Sequence, residues 1–361
     1  MKFQPLHFIP NWSRSKKQKG LCRNFSIVFA LGSFLGLAIA TTTSHSENAT
    51  AAYPIAANLS NVTLRASKYK GGWDLQLKLA GQDKFPYKTE FTEFTGGNFI
   101  VQAINANAID IGSASEIPPI FAVQSQGAVK IIASIKGPTV GQVVLVPKNS
   151  NAKKFTDLKG KKVGYVKATT AHYFLIKMLA QEGLTLKDVN AVPLTIPDGL
   201  SAFRRGDLDA WATYGYAIQQ AQKDGAKVLK SAKNILSGNF TIVAAPSAIA
   251  DPNKKAAIAD FLCRIQKSQD WQASNIEAWS KNYAKAIGVD ETFVLKDAKE
   301  GLKQRRSLRG QATQVLPISQ QAIASQQDVA DTFYRAGVIP TKVDVKPLWD
   351  GSFTNAINKC K

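Results

Sequence analysis

Glycines and hydroxyls placed at the starts of apolar helical stretches are the residues in this chain best suited to holding a ligand. Gly71-Gly72 and Gly96-Gly97 sit where a strand pattern gives way to a helical one. Ser113 and Ser115 precede Pro118-Pro119, and Thr169 and Thr170 precede Ala171-His172. A helix start presents free N–H donors and a partial positive charge, and nearby hydroxyls add donors without bringing a counter-ion. The chemistry such a set suits is capture of an anion. The glycine pairs alone also fit plain turn geometry, so both readings of them stand at this level.

Catalytic sets are hard to assemble. The chain has three histidines, His7, His45 and His172. Only His172 falls in the part expected to fold, which excludes a two-histidine metal site there. A Ser–His–Asp arrangement built on His172 has no fixed partners. Asp207 and Asp209 read as the turn into a strand. No G-x-S-x-G elbow, P-loop or G-x-G-x-x-G fingerprint occurs. The expectation is a binding protein with no catalytic residues, no metal and no cofactor.

The elements that must position these residues follow an alternating pattern. Strands are expected at Val62–Ala66, Thr89–Phe94, Ile109–Ser113, Val129–Ile135 and Gln142–Pro147, with helices between them. Asp74–Ala80 is read as one, although Leu75, Leu77 and Leu79 suit either helix or strand; Phe99–Asn107 is a second, and Ile117–Gln126 a third, with proline tolerated in its first turn. A second block repeats the pattern. Its strands lie at Lys162–Val166, Val189–Leu194, Leu208–Thr213 and Lys227–Leu229. Its helices are Thr170–Glu182, Gly199–Arg205 and Tyr216–Asp224, each followed by a glycine stop. Strand–helix alternation argues for parallel α/β sheets. Phe240–Ala245 is one more strand. Residues 251–336 read as helices with loops, and the tail from Val338 shows little regular pattern. Two lobes are expected, with the chain passing to the second near Pro147–Ser150.

Residues 1–24 are basic and polar, Phe25–Ala40 is apolar and uncharged, and Ala38-Ile39-Ala40 offers a small-x-small site. This is the layout of a secretory signal. Cys22 precedes the apolar run and no cysteine follows it closely, so lipid anchoring is not indicated. Thr41 to about Asn58 reads as a flexible lead-in. The formal charge is +20; residues 1–40 carry six bases and no acid, which leaves 40 bases against 26 acids, or +14. That balance suits anionic ligands or a negatively charged membrane or partner. The densest later basic run, Lys303, Arg305, Arg306 and Arg309, has no aromatic within it and reads as a solvated face, so nucleic acid is not an expected partner. Cys263 and Cys360 are the cysteines left after processing. An exported compartment permits a disulfide between them; two separate buried thiols remain the alternative.

Several stretches resemble the solute-binding proteins of aliphatic-sulfonate, taurine and nitrate ABC importers. They are Ile109-Asp-Ile-Gly-Ser-Ala-Ser-Glu-Ile-Pro-Pro-Ile-Phe-Ala122, Asp157-Leu-Lys-Gly-Lys-Lys-Val-Gly-Tyr-Val166 and Lys167–His172. Phe203-Arg-Arg-Gly-Asp-Leu-Asp-Ala-Trp211 and the stretch from Asp331 to Pro340 complete the set. The resemblance spans about residues 60 to 348. It implies a type II periplasmic-binding-protein fold, an α/β architecture of two lobes with the ligand cleft between them and a helical C-terminal portion. Residues 59–147 with 244–361 would form lobe 1 and 148–243 lobe 2. It also implies a membrane permease and its ATPase as partners, to which an exported, periplasmic protein, expected to be a monomer, would deliver a small anion; an exported sensory binding module or a periplasmic enzyme on the same fold is the alternative. The chain departs from the sulfonate group in having Ser115-Glu116 before the Pro-Pro pair and Tyr214-Gly215-Tyr216 after a second-lobe strand.

On this basis the ligand-binding set is Tyr69, Gly71, Gly72 and Trp73; Gly96, Gly97 and Asn98; Ser113, Ser115 and Glu116; Thr169, Thr170 and His172; and Tyr214 with Tyr216. Trp73, Tyr214 and Tyr216 would wall an organic tail, which favours an organosulfonate over bare nitrate. Glu116 would repel an anion unless it meets a donor on the ligand or turns outward to a lysine. The exported protein is expected to begin near Thr41. N-terminal sequencing of the secreted material checks this, and a retained Met1 would contradict it.

Overall fold

The protein is described by a computed structural model that covers residues 59–125, 127–309 and 315–360, the side chains of 305–309 excepted. The expected signal and lead-in, and most of the basic run at 303–309, lie outside the described residues and side chains.

The first strands and helices alternate as the apolar pattern dictates. β1 (Thr63–Lys68) buries Leu64 and Ala66 on one face and leads through a glycine turn into α1 (Trp73–Leu79). β2 (Lys88–Glu93), α2 (Gly97–Asn105), β3 (Ile111–Ser115), α3 (Pro118–Gln124) and β4 (Lys130–Lys136) follow. β5 (Gln142–Val146) is buried along its whole length, as an apolar strand covered on both faces should be. The second block runs β6 (Lys162–Tyr165), α4 (Thr170–Ala180), β7 (Asn190–Pro193), α5 (Ile196–Arg205), β8 (Ala210–Tyr214), α6 (Tyr216–Lys223) and β9 (Lys227–Ser231). β10 (Asn239–Ala244) and α7 (Pro246–Ala250) lead into the long α8 (Pro252–Ser274). Asp251 caps α8 by accepting from the Asn253 and Lys254 N–H groups, and Pro252 fills its first turn. Then come α9 (Ile276–Ile287), α10 (Glu291–Arg309), β11 (Val315–Leu316), α11 (Gln320–Arg335) and α12 (Thr354–Lys359).

Among the described residues the strands form two sheets. One has the order β11-β4-β10-β3-β1-β2 and the other β7-β6-β8-β5-β9. β1 runs parallel to β2 and β3, and β6 runs parallel to β7 and β8. Contrary to the expectation of purely parallel sheets, both are mixed. β10 enters between β3 and β4 antiparallel to each, and β5 lies antiparallel to β8 and β9. β4 and β5 belong to different sheets, so the chain crosses at residues 137–141, ahead of the expected 147–150. It returns at 232–238, before β10 rather than after it. The two crossings lie side by side, with the Gly137 N–H donating to the Gly238 carbonyl at 2.8 Å.

Each sheet has its own core. Leu64, Ile111, Ile242, Phe261, Phe333 and Phe353 belong to the first, and Val144, Phe174, Phe203 and Trp211 to the second. The tail is more regular than its composition promised. The Asp350 N–H donates to the Ile131 carbonyl at 2.9 Å, Phe353 is fully buried, and α12 packs on α8. That packing brings the Cα atoms of Cys263 and Cys360 to 5.2 Å, with the sulfurs facing each other. The separation suits a disulfide. Their sequence separation of 97 residues would make the closed loop long, worth about 4–5 kcal/mol in the chain-entropy model, with less in practice. The unreduced, denatured protein should therefore show no free thiol to a labelling reagent, and reduction should lower its thermal midpoint by several degrees. Two labelled thiols per chain would contradict the bond.

Candidate functional site

The cavity between the two sheets has a volume of about 610 Å³. Tyr69, Gly71, Gly72, Trp73, Gly97, Ser113 and Ser115 line it from the first-sheet side, and Thr169, Thr170, Tyr214 and Tyr216 from the second. The local geometry follows from the turns. Gly71 holds φ +69°, and a Cβ there would come to 2.8 Å from the ring of Tyr283, so both backbone sign and close packing demand glycine. A Cβ at Gly97 would stand 3.0 Å from Ala114 Cβ and 3.2 Å from the Tyr69 hydroxyl. The start of α2 is thereby pressed onto β3 and Tyr69.

Two tyrosines meet across the cavity. The Tyr69 hydroxyl donates to the Ser113 carbonyl at 3.1 Å. Burial pushes its pKa far above the ordinary value, with Tyr214 adding to the effect. Tyr214 is pushed up to about 12 by burial, offset by hydrogen bonding with Thr169. Both phenols are therefore neutral donors or acceptors at physiological pH. The Ser115 Oγ accepts from the Ile117 N–H at 3.4 Å, which leaves its own proton free to donate.

Four expected residues, Gly96, Asn98, Glu116 and His172, do not line the cavity. Thr169, although a lining residue, uses its hydroxyl locally: it donates to the Val166 carbonyl at 2.7 Å and accepts from Ala171 N–H as the cap of α4. Glu116 points away from the cavity. It accepts from the Ser237 hydroxyl, from Asn239 Nδ2 at 3.0 Å and from the Ser325 hydroxyl at 3.2 Å. Burial raises its pKa, and the three donors and the charge of Lys136 oppose that rise. The feared repulsion of an anion is thus removed by orientation. His172 is 2% exposed and packs between Tyr165 and Phe333, at centroid distances of 4.8 and 5.3 Å. It helps seat α4 against the first core. Gly96 and Asn98 stand just behind the wall; a Cβ at Gly96 would reach 3.4 Å from the Tyr214 hydroxyl.

The sequence reading missed a whole wall. Trp279 and Tyr283 on α9, and Val294, Asp297 and Gly301 on α10, also line the cavity. Trp279 and Tyr283 stack at 5.3 Å with an interplanar angle of 21°. Their four-residue spacing puts two aromatics on one helix face, which was the available signal. Among the described residues no group of three His, Cys, Asp or Glu side chains converges as metal ligands, and no helix is long and apolar enough to cross a membrane.

A family model described as NMT1/THI5 like matches residues 90–274. A protein of Escherichia coli (strain K12) named "Putative aliphatic sulfonates-binding protein" is 31% identical over 305 residues, covering 82% of this chain and 92% of its own. The alkanesulfonate-binding protein SsuA from Xanthomonas axonopodis pv. citri, solved bound to MOPS, superposes with a TM-score of 0.73. It is 25% identical and covers 82% of this chain and 99% of its own. The desulfurization enzyme DSZB shares the fold at a TM-score of 0.57 and 14% identity, covering 83% of this chain and 99% of its own.

Burial, joined by the charge of Lys167, lowers the pKa of His172 from 6.5 to about 4. A depressed folded-state value means the unfolded chain binds the proton first. The histidine's contribution to stability is complete above about pH 6.5 and is lost as pH falls toward about 4. His172→Gln, which keeps an acceptor for the Ala168 N–H, should lack that part of the slope in denaturant titrations run across this range. Identical slopes in variant and wild type would mean that the imidazole titrates normally in the fold.

Proposed function

The chain belongs to the NMT1/THI5-like family, and from that premise we propose that it is the extracytoplasmic solute-binding component of an ABC importer, capturing a small organic sulfonate between its lobes. The observation that carries this reading is the cavity itself. It is walled by aromatics and set between helix starts, Ser115 and Thr170 bring hydroxyl-bearing side chains to it, and the Glu116 carboxylate at the β3–α3 turn is bound elsewhere. The names of the similar proteins support the same reading: one is named for binding aliphatic sulfonates, and the other, named for binding alkanesulfonates, was solved bound to MOPS.

The head group is proposed to sit against the Gly71–Trp73 turn, Ser113, Ser115 and the start of α4 at Thr170. A helix terminus contributes about 0.3–1 kcal/mol at exposed sites and up to ~2 kcal/mol when partly buried. Micromolar affinity requires about 8 kcal/mol. The remainder must come from hydrogen bonds and from apolar burial of the tail. Trp73, Tyr214 and Tyr216 supply that apolar surface, and a bare inorganic anion would leave it unused. Residues 137–141 and 232–238 are the segments about which the lobes would close, and a membrane permease with its ATPase would receive the loaded form. This is a binding role and not catalysis. The enzyme that shares the fold is related at a level of identity that speaks for architecture alone.

Isothermal calorimetry with linear alkanesulfonates, taurine, nitrate and aromatic sulfonates tests the proposal. At least one organic sulfonate should bind at micromolar strength or better, and nitrate should bind far more weakly. Ser115→Ala and Thr170→Ala should each weaken the best ligand about tenfold or more, the loss of one hydrogen bond to a charged group. Their unfolding midpoints should stay near the wild type. Tight binding of nitrate with no response to sulfonates would overturn the reading.

A further inference from the structure

The wall contributed by α6 and α10 differs in chemistry from the rest of the cavity. Asp297 lines it, and its carboxylate accepts from Gln219 Nε2 at 2.9 Å. No lysine or arginine among the described residues lies within ion-pair distance of it. Because Gln219 must turn its amide nitrogen to the acid, its Oε1 faces away, and that oxygen is buried without a hydrogen-bond partner among the described residues. Gln142, 6% exposed and also a lining residue, likewise has a buried Oε1 with no partner. Two buried acceptor oxygens at this wall therefore lack partners among the described residues, although the ammonium group of Lys70 lines the same cavity.

The surroundings suit a cation. Tyr216 and Tyr283 line the same region. The Tyr216 ring already presents its face to an ammonium group, Lys70 Nζ, 5.6 Å from the centroid. Such faces attract positive charge. Burial raises the Asp297 carboxyl above its ordinary value, with Tyr283 close enough to feel its charge. The Gln219 amide and, from beyond ion-pair distance, the charge of Lys296 offset that burial only in part, and a ligand cation in contact would relieve the remaining cost.

We propose that Asp297 and Gln219 form a nitrogen subsite within this cavity, selecting a zwitterionic sulfonate whose protonated amine meets the carboxylate while its sulfonate occupies the helix-start region. The inference rests on the sulfonate reading above and adds what distinguishes one sulfonate from another. Asp297 stands on α10, and Gln219 stands on α6 of the second lobe. A bound ammonium group would therefore touch both sides of the cleft.

The test compares matched pairs of sulfonates of increasing chain length, each pair ending in an ammonium or in a methyl group, by calorimetry on the full mature protein. In the wild type the ammonium member of at least one pair should bind about tenfold or more tighter than its methyl partner. In Asp297→Asn that ratio should fall to within about threefold of unity, whatever the absolute affinities become. Gln219→Leu, which takes the amide away from the acid without removing the charge, should change the ratio by a smaller factor and serves if Asp297→Asn does not fold. Methyl and ammonium members binding equally to the wild type would overturn the nitrogen subsite and leave the sulfonate-binding proposal intact. No binding by either member at any length would overturn both. A wild-type preference that persists in both variants would place the amine elsewhere and overturn the assignment to these residues.

Discussion

The paired crossings between the two sheets are the constraint on which the rest of this molecule depends. β4 ends in one sheet and β5 begins the other, so residues 137–141 must bridge them; residues 232–238 must bridge them again on the way to β10. The hydrogen bond from Gly137 to Gly238 ties these segments together. Gly238 takes φ +75°, and a Cβ there would lie 2.6 Å from the Gly137 carbonyl oxygen, so the two strands of the bridge approach as only glycine permits. With two adjacent connections fixed, the sheets can share a cleft while keeping separate cores. β10 and β5 are then forced to run antiparallel to their neighbours, because each enters its sheet from the side of the cleft.

That arrangement decides which residues reach the cavity. The first turn after β1, the turn after β3 and the cap of α4 all open at strand ends facing the cleft, where α/β sheets gather their ligands. The N-terminal ends of α1, α2 and α4 converge there for the same reason. α4 does more than present its start. Its Tyr173 and Ile176 pack with the first core although the helix follows a second-sheet strand, and His172 stacks near Phe333 of α11. A buried neutral imidazole at such a seam is suited to packing and not to acid–base work.

Much of this was legible in the sequence, and the failures have physical causes. Helix starts at Gly71-Gly72, Gly96-Gly97 and Thr169 could be placed because capping residues and glycine turns are local signals. The sheet to which β5 and β10 belong could not be placed. A buried apolar run such as Gln142–Val146 looks the same in either sheet, and antiparallel insertion leaves no mark on the pattern. Glu116 was read as a threat to anion binding because sequence fixes its position on the turn but not the direction of its side chain. Ser237, Asn239 and Ser325, more than a hundred residues away, set that direction. Asp297 was invisible for a similar reason. On α10 it reads as one more charge on an amphipathic helix, and its meaning comes from Gln219, 78 residues earlier.

The distribution of polar groups around the cavity then bears on how strongly the cleft would hold a ligand. Hydroxyls and backbone N–H groups at the helix starts can stabilise a negative charge, and Lys68 and Lys70 also line the cavity near the Gly71-Gly72 turn. Their contributions grow as water is excluded, since the effective dielectric falls. The same exclusion raises the cost of the carboxylate at Asp297 if nothing positive approaches it. A closed cleft filled by a plain alkyl tail would therefore strengthen one end of the site and penalise the other. A ligand carrying both charges removes the conflict, because closure then strengthens both ends together. Under that proposal the acid on α10 would act against the wrong ligand as much as for the right one. A specificity of that kind needs repulsion as well as attraction.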